Sequence, residues 1–188
     1  LYITVIWIGV LFFSVIFHEC AHGLVALWCG DPTAKQNNRI TLNPSHHIDP
    51  FGTIILPLIL VLLHSSVIFG WARPVPVNVN RLRHRRLHHI FVSAAGCVTN
   101  LILALLCLNM LICIGCLIKL LFPWLVVYNF SNFQYEVQIH AGAIGFVVET
   151  LIQMLKIGFI LNLILFNFNL IPLPPLDGSW IFANLFPN

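Results

Sequence analysis

The first charged side chain in this sequence is Glu19, and everything before it is apolar or neutral. About 18 or more apolar residues with few charges read as a membrane-crossing helix rather than a piece of a soluble core. Residues 1–28 form one such stretch, and 90–122 and 141–168 form two more that are long enough to be helices. Composition points the same way: 59% of the chain is hydrophobic and 8% charged, against about 25% charged in a typical soluble domain. The 188 residues have room for three to five spanning or re-entrant segments, hence one membrane-embedded domain over 1–188 rather than several.

The connections carry most of the polar residues. Residues 30–52, "GDPTAKQNNRITLNPSHHIDPFG", are broken by Pro32, Pro44 and Pro50, and their "RITL" core has strand character that predicts a short β-hairpin. Residues 53–69 are apolar but short, with Pro57 inside and His64, Ser65 and Ser66 near the end, which makes a re-entrant or short helix. A basic loop follows over 70–89, holding Arg73, Arg81, Arg83, Arg85 and Arg86. Between apolar flanks this cluster reads as a cytoplasmic, membrane-facing loop and not as a nucleic-acid surface. Residues 124–140 read as a mixed loop, and the prolines at 172, 174 and 175 exclude a regular helix there. Cys20, Cys97, Cys107, Cys113 and Cys116 sit in apolar runs, where thiols behave as small buried hydrophobes. The sequence opens at Leu1 rather than Met, consistent with a trimmed N-terminus.

Against this background "HECAH", residues 18–22, is costly. An ionised Glu19 in hydrocarbon costs at least ~2.5–3.5 kcal/mol, and intramembrane ionisable residues are functional suspects. His18 and His22 are four apart, so both imidazoles leave one helix face and can bind one metal. Glu19 lies about 100° around the helix, beside that metal rather than on it, where it suits a base acting on water. Two histidines leave a zinc site one ligand short. Asp177 in "PPLDGS" is on offer, although Asp-Gly is also an ordinary turn pair.

"HECAH", "SAAGCVTN" (93–100) and "NLIPLPPLDGS" (169–179) occur in an order and at separations that resemble the site-2 protease family of intramembrane zinc metalloproteases. "NPSHHIDPFGT" and "FGWARPVPVN" resemble its small bacterial-type branch without a PDZ domain. The resemblance implies one Zn2+ per chain held by His18, His22 and Asp177, with Glu19 as the catalytic base. It places Asn169 against the substrate strand or the developing oxyanion, and Asn100 is a further candidate to hold substrate carbonyls. Interhelical hydrogen bonding is the plain alternative for both asparagines. Two departures stand out: Cys97 follows Gly96 where the family has proline, and Ser179 replaces a second glycine.

Topology bears on whether these residues can meet. If 53–69 spanned, Asp177 would emerge opposite the end of the first helix that carries His22. If it dips in and returns, the two share a side, as ligand bonds of about 2 Å require. The expected architecture is therefore an all-α polytopic membrane protein with three spanning helices, a re-entrant segment and a short β-hairpin near the active site. A strand around Arg39–Leu42 would hold an unwound substrate by β-addition. The implied function is an endopeptidase that cuts transmembrane protein substrates in or near their membrane segments, within the lipid bilayer. Its setting would be a bacterial-type inner membrane, with the site opening to the cytoplasm. A membrane metal-ion transporter or metal-binding protein is the rival, but 90–122 has no acid or histidine and 141–168 has only Glu149. His46 and His47 read as loop residues, His64 as lining a wet path or capping its segment, and His84, His88 and His89 as headgroup contacts. Glu149, Gln153 and Lys156 share a face and suggest an intramembrane pair with a structural role.

Overall fold

The computed structural model describes residues 2–65, 70–121, 126–129, 134–137 and 142–186. Three of its helices are long and apolar enough to cross a membrane: α1 (Tyr2–Trp28), α4 (Arg85–Leu121) and α5, whose candidate span is Gly145–Asn169. α5 as a whole runs Gly142–Asn169. Short helices α2 (Thr33–Gln36) and α3 (Leu56–Leu62) lie between α1 and α4, and α6 (Asp177–Leu185) closes the chain. α4 packs against α1, α5 and α6, so it is the common neighbour of the bundle. At 37 residues and about 1.5 Å per residue it is longer than a bilayer core is thick. It begins five residues before the apolar run does, drawing Arg85, Arg86, His88 and His89 of the basic loop into helix.

α1 stops where the sequence tells it to. Gly30 has φ +108°, a left-handed conformation that only glycine adopts freely. Its N–H donates to Leu27 O at 3.1 Å while Asp31 N–H reaches Ala26 O at 2.9 Å, the paired closure of a Schellman cap. Asp31 is fully buried. Its carboxylate accepts from Thr33 N at 3.0 Å and Asn78 N at 2.6 Å, tying the turn after α1 to the segment leading into α4.

The apolar stretch that begins at 53 is a short helix. Asp49 caps it by accepting from Phe51 N and Gly52 N at 3.1 and 2.7 Å, Pro50 opens a π-helical turn over Pro50–Ile55, and α3 follows. With only these residues, Pro50–Leu62 falls short of a span. The ends of the excursion meet: Trp71 N donates to Gly52 O at 3.2 Å and Arg73 N to His47 O at 2.9 Å. Residues 66–69, the end of the stretch as read from the sequence, lie outside the described residues.

The expected hairpin near the site is corrected. Residues 39–42 form no strand: Arg39 N–H goes back to Ala34 O at 2.9 Å, and side chains take the Thr41 carbonyl. Thr41 O accepts from Cys20 Sγ at 3.0 Å and is also bonded to His47 Nε2 at 2.7 Å. The buried Arg39 guanidinium reaches across to Pro74 O at 3.2 Å. Among the described residues the strands are β1 (Val126–Asn129) and β2 (Gln134–Val137), an antiparallel pair between α4 and α5 with Val126 opposite Val137.

Asp31→Ala would leave the amides of Thr33 and Asn78 without their buried acceptor. We expect a loss of about 1.5–3 kcal/mol, read as a lower unfolding midpoint of the purified protein in detergent.

Candidate metal centre

Along the inner face of α1 stand Ser14, His18 and His22, all buried at 4%, 7% and 9% exposure. The two imidazoles are edge to face, with centroids 4.6 Å apart. Each has its Nδ1 committed away from its neighbour: His18 Nδ1 lies 2.8 Å from Asn100 Oδ1, and His22 Nδ1 lies 2.7 Å from Val92 O. Both partners are acceptors, so each Nδ1 carries the proton and each Nε2 presents a lone pair. Those two nitrogens are 3.0 Å apart. The Oδ2 atom of Asp177, at the start of α6, completes a triangle at 3.2 Å from His18 Nε2 and 3.3 Å from His22 Nε2.

Three lone-pair atoms therefore face one another with no donor between them. Without a cation or an added proton that arrangement is repulsive. Atoms bound at about 2.0–2.1 Å to one tetrahedral ion stand about 3.3 Å apart, close to the spacings found. Two neutral imidazoles and a carboxylate suit zinc and leave one position open, so the residues fit that ion. Among the described residues this is the group of three His, Cys, Asp or Glu side chains close enough to share a metal.

Local sequence explains how Asp177 reaches the two histidines. Three prolines keep 172–175 out of helix, Leu176 is extended (φ −72°, ψ 154°), and Asp177 is the first residue of α6. Gly178 allows the helix start to lie on the chain: a Cβ there would stand 2.2 Å from Leu170 O. At its other end α6 is held by α4. Arg86 donates to the carbonyls of Asn184 and Leu185, the latter at 3.1 Å, and Asn184 Nδ2 lies 3.0 Å from His89 Nδ1. A cation on the last carbonyls also complements the helix dipole.

Glu19, next to His18 on α1, is half-buried, with Oε2 accepting from Val75 N at 2.8 Å. Pro74 and Pro76 have no N–H, so Val75 is the only residue of 74–76 able to make that bond. Cys97, the departure from the family pattern, is buried with Sγ 3.7 Å from Asp177 Oδ2.

The asparagines differ. Asn100 is fully buried, with its oxygen on His18 and its Nδ2 donating to Asn162 Oδ1 at 3.2 Å. Both ends of the carboxamide are engaged by protein. Asn169, the last residue of α5, donates from Nδ2 to Leu165 O at 2.9 Å. His46 is exposed and His47 is buried against Thr41 O. His64 takes a left-handed φ of 51° just after α3. His84 and His88 meet edge to face, with centroids 5.0 Å apart, and His88 Nδ1 lies 3.2 Å from Cys29 O. Glu149 is exposed, and among the described residues no ion pair joins it to Lys156, which corrects the pair expected in α5. Sequence reasoning missed Asn162, Ser14 and Val75. For Ser14 a signal exists, since it precedes His18 by the same four residues that separate His18 from His22.

Residues 6–188 match the family pattern of Peptidase family M50, and the chain belongs to that family. A curated relative from Bacillus subtilis (strain 168), named "Putative zinc metalloprotease YwhC", is 42% identical over 174 residues, 93% of this chain. The chain spans 66% of that relative's length. No solved structure matches it.

Gly96 of α4 faces the triangle, and a Cβ there would lie 2.4 Å from His18 Cε1 and 2.5 Å from His22 Nε2. Gly96→Ala should push the imidazoles apart. Elemental analysis of the purified variant is expected to show clearly substoichiometric metal, with helix content by circular dichroism unchanged.

Proposed function

We propose that this chain is a membrane-embedded zinc endopeptidase that cuts other membrane proteins in or near their transmembrane segments, in the manner of regulated intramembrane proteolysis. The observation that carries the reading is the triangle of inward lone pairs on His18, His22 and Asp177, with Glu19 next to His18 in the chain. Zinc held by these three side chains would polarise the scissile carbonyl and bring the pKa of water near 7.

Glu19 does the proton work. Val75 N–H holds Oε2, leaving Oε1 to take a proton from the attacking water and pass it to the leaving amine nitrogen. Asn169 ends α5 eight residues before Asp177. Turned from Leu165 O, its carboxamide would donate to the substrate carbonyl. Asn100 acts behind His18 and orients it. A substrate helix hides its amides in its own hydrogen bonds, so it enters locally unwound.

The same reading covers 1–188 as one metalloprotease domain and has Pro50–Leu62 dip into the bilayer and return, supported by the bond between Trp71 N and Gly52 O. The arginines at 81, 83, 85 and 86 support a cytoplasmic setting for that side, in a bacterial-type inner membrane. A transport path would need further ligand groups along the spans, and the described residues hold one.

The test is zinc content together with cleavage of a single-span substrate. Glu19→Gln should keep zinc and lose at least about 100-fold in rate, and Asp177→Ala should lose zinc. Asn169→Ala should keep zinc and lower kcat. Undiminished cleavage by Glu19→Gln would overturn the mechanism.

A further inference from the structure

Behind His18 runs a chain of hydrogen bonds that returns to the helix it left. His18 Nδ1 on α1 reaches Asn100 Oδ1 on α4 at 2.8 Å, and Asn100 Nδ2 reaches Asn162 Oδ1 on α5 at 3.2 Å. Asn162 Nδ2 then donates to Ser14 Oγ on α1 at 3.0 Å and to Gly158 O at 2.8 Å. Ser14 sits one turn before His18 on the same face. All four side chains are buried: His18 is 7% exposed, Asn100 0%, Asn162 2% and Ser14 4%.

The direction of every bond in the ring is fixed. For His18 to offer Nε2 to a metal its proton must be on Nδ1, so Asn100 accepts with its oxygen and can donate only from nitrogen. Asn162 must then accept from Asn100 and donate onward. A carbonyl at Gly158, with no proton of its own, terminates the series. No amide can be reversed without setting donor against donor, and in apolar surroundings each unmade bond is costly. His22 has no comparable dependence, because its Nδ1 is held by a backbone carbonyl, Val92 O.

We infer that Asn162, with Ser14, is a positioning residue for the metal centre: through Asn100 it sets the tautomer and ring orientation of His18 and thereby the affinity of the three-residue site. This rests on the zinc reading above and adds two residues to it. Outer-shell partners of metal-bound histidines are generally worth 10–100-fold in affinity.

The experiment uses the full chain in detergent, with zinc affinity measured by chelator competition and the ligand field read from the visible spectrum of the cobalt(II)-loaded protein. Asn162→Ala should weaken zinc by about 10–100-fold and change the cobalt spectrum. Leu161→Ala, which removes buried packing from the same helix (7% exposed), should leave the spectrum as in the wild type. Ser14→Ala, a milder change that keeps the test decisive should Asn162→Ala not fold, should weaken zinc several-fold in the same direction. Wild-type affinity and spectrum in both Asn162→Ala and Ser14→Ala would overturn the inference while leaving the zinc reading intact. A wild-type chain that retains no zinc would overturn both.

Discussion

Two imidazole nitrogens and a carboxylate oxygen, each about 3.0–3.3 Å from the others, form the constraint on which the rest of this structure turns. Lone pairs so close inside an apolar bundle repel unless a cation sits among them. The folded chain nevertheless brings them together from positions 18, 22 and 177, and much of its non-helical backbone serves that end. The Schellman cap at Gly30 ends α1, and Asp31 fastens the chain to Asn78. The prolines before Asp177 stop α5 from running on, so that α6 can start where its first residue meets α1.

How much of this could be read from the sequence depends on how local the cause is. Long apolar runs place α1, α4 and α5 within a few residues, because an apolar helix is decided by its own composition. The four-residue spacing of His18 and His22 puts them on one face by helical geometry alone. Asp177 entered through a motif resemblance, since nothing near it in the sequence says what it touches. The "RITL" stretch shows the opposite case. Its β-branched residues favour a strand, yet Arg39 binding the carbonyls at 73 and 74, and Cys20 and His47 sharing Thr41 O, fold it as an irregular segment. Those partners lie up to 35 residues away, beyond what local propensity can register.

Asn100 marks a subtler limit. A polar residue in an apolar helix announces that it has a partner without saying which. Read from the sequence, a substrate carbonyl and a neighbouring helix are equally good acceptors, and the structure turns this one to His18 and Asn162. The orienting group of a metal ligand and a substrate-binding group use the same chemistry, so only placement separates them.

The organiser of the centre is a helix that contributes no ligand. On α4, Arg86 and His89 hold the far end of α6, Val92 O takes His22, Gly96 leaves room for both imidazoles, and Asn100 takes His18. Positions 86, 89, 92, 96 and 100 recur at three or four residues, which is one face of a helix. That face meets α6 through a guanidinium and a ring nitrogen, and α1 through a carbonyl, a gap and an amide. Rotating α4 by one residue would turn the face about 100° away, so the placement and orientation of His18, His22 and Asp177 are lost or kept together. An apolar helix of this length could slide or rotate at little cost against lipid. Against α1 and α6 it is fixed in register by five polar or steric contacts, and that register is what converts a generic hydrophobic bundle into a metal-binding one.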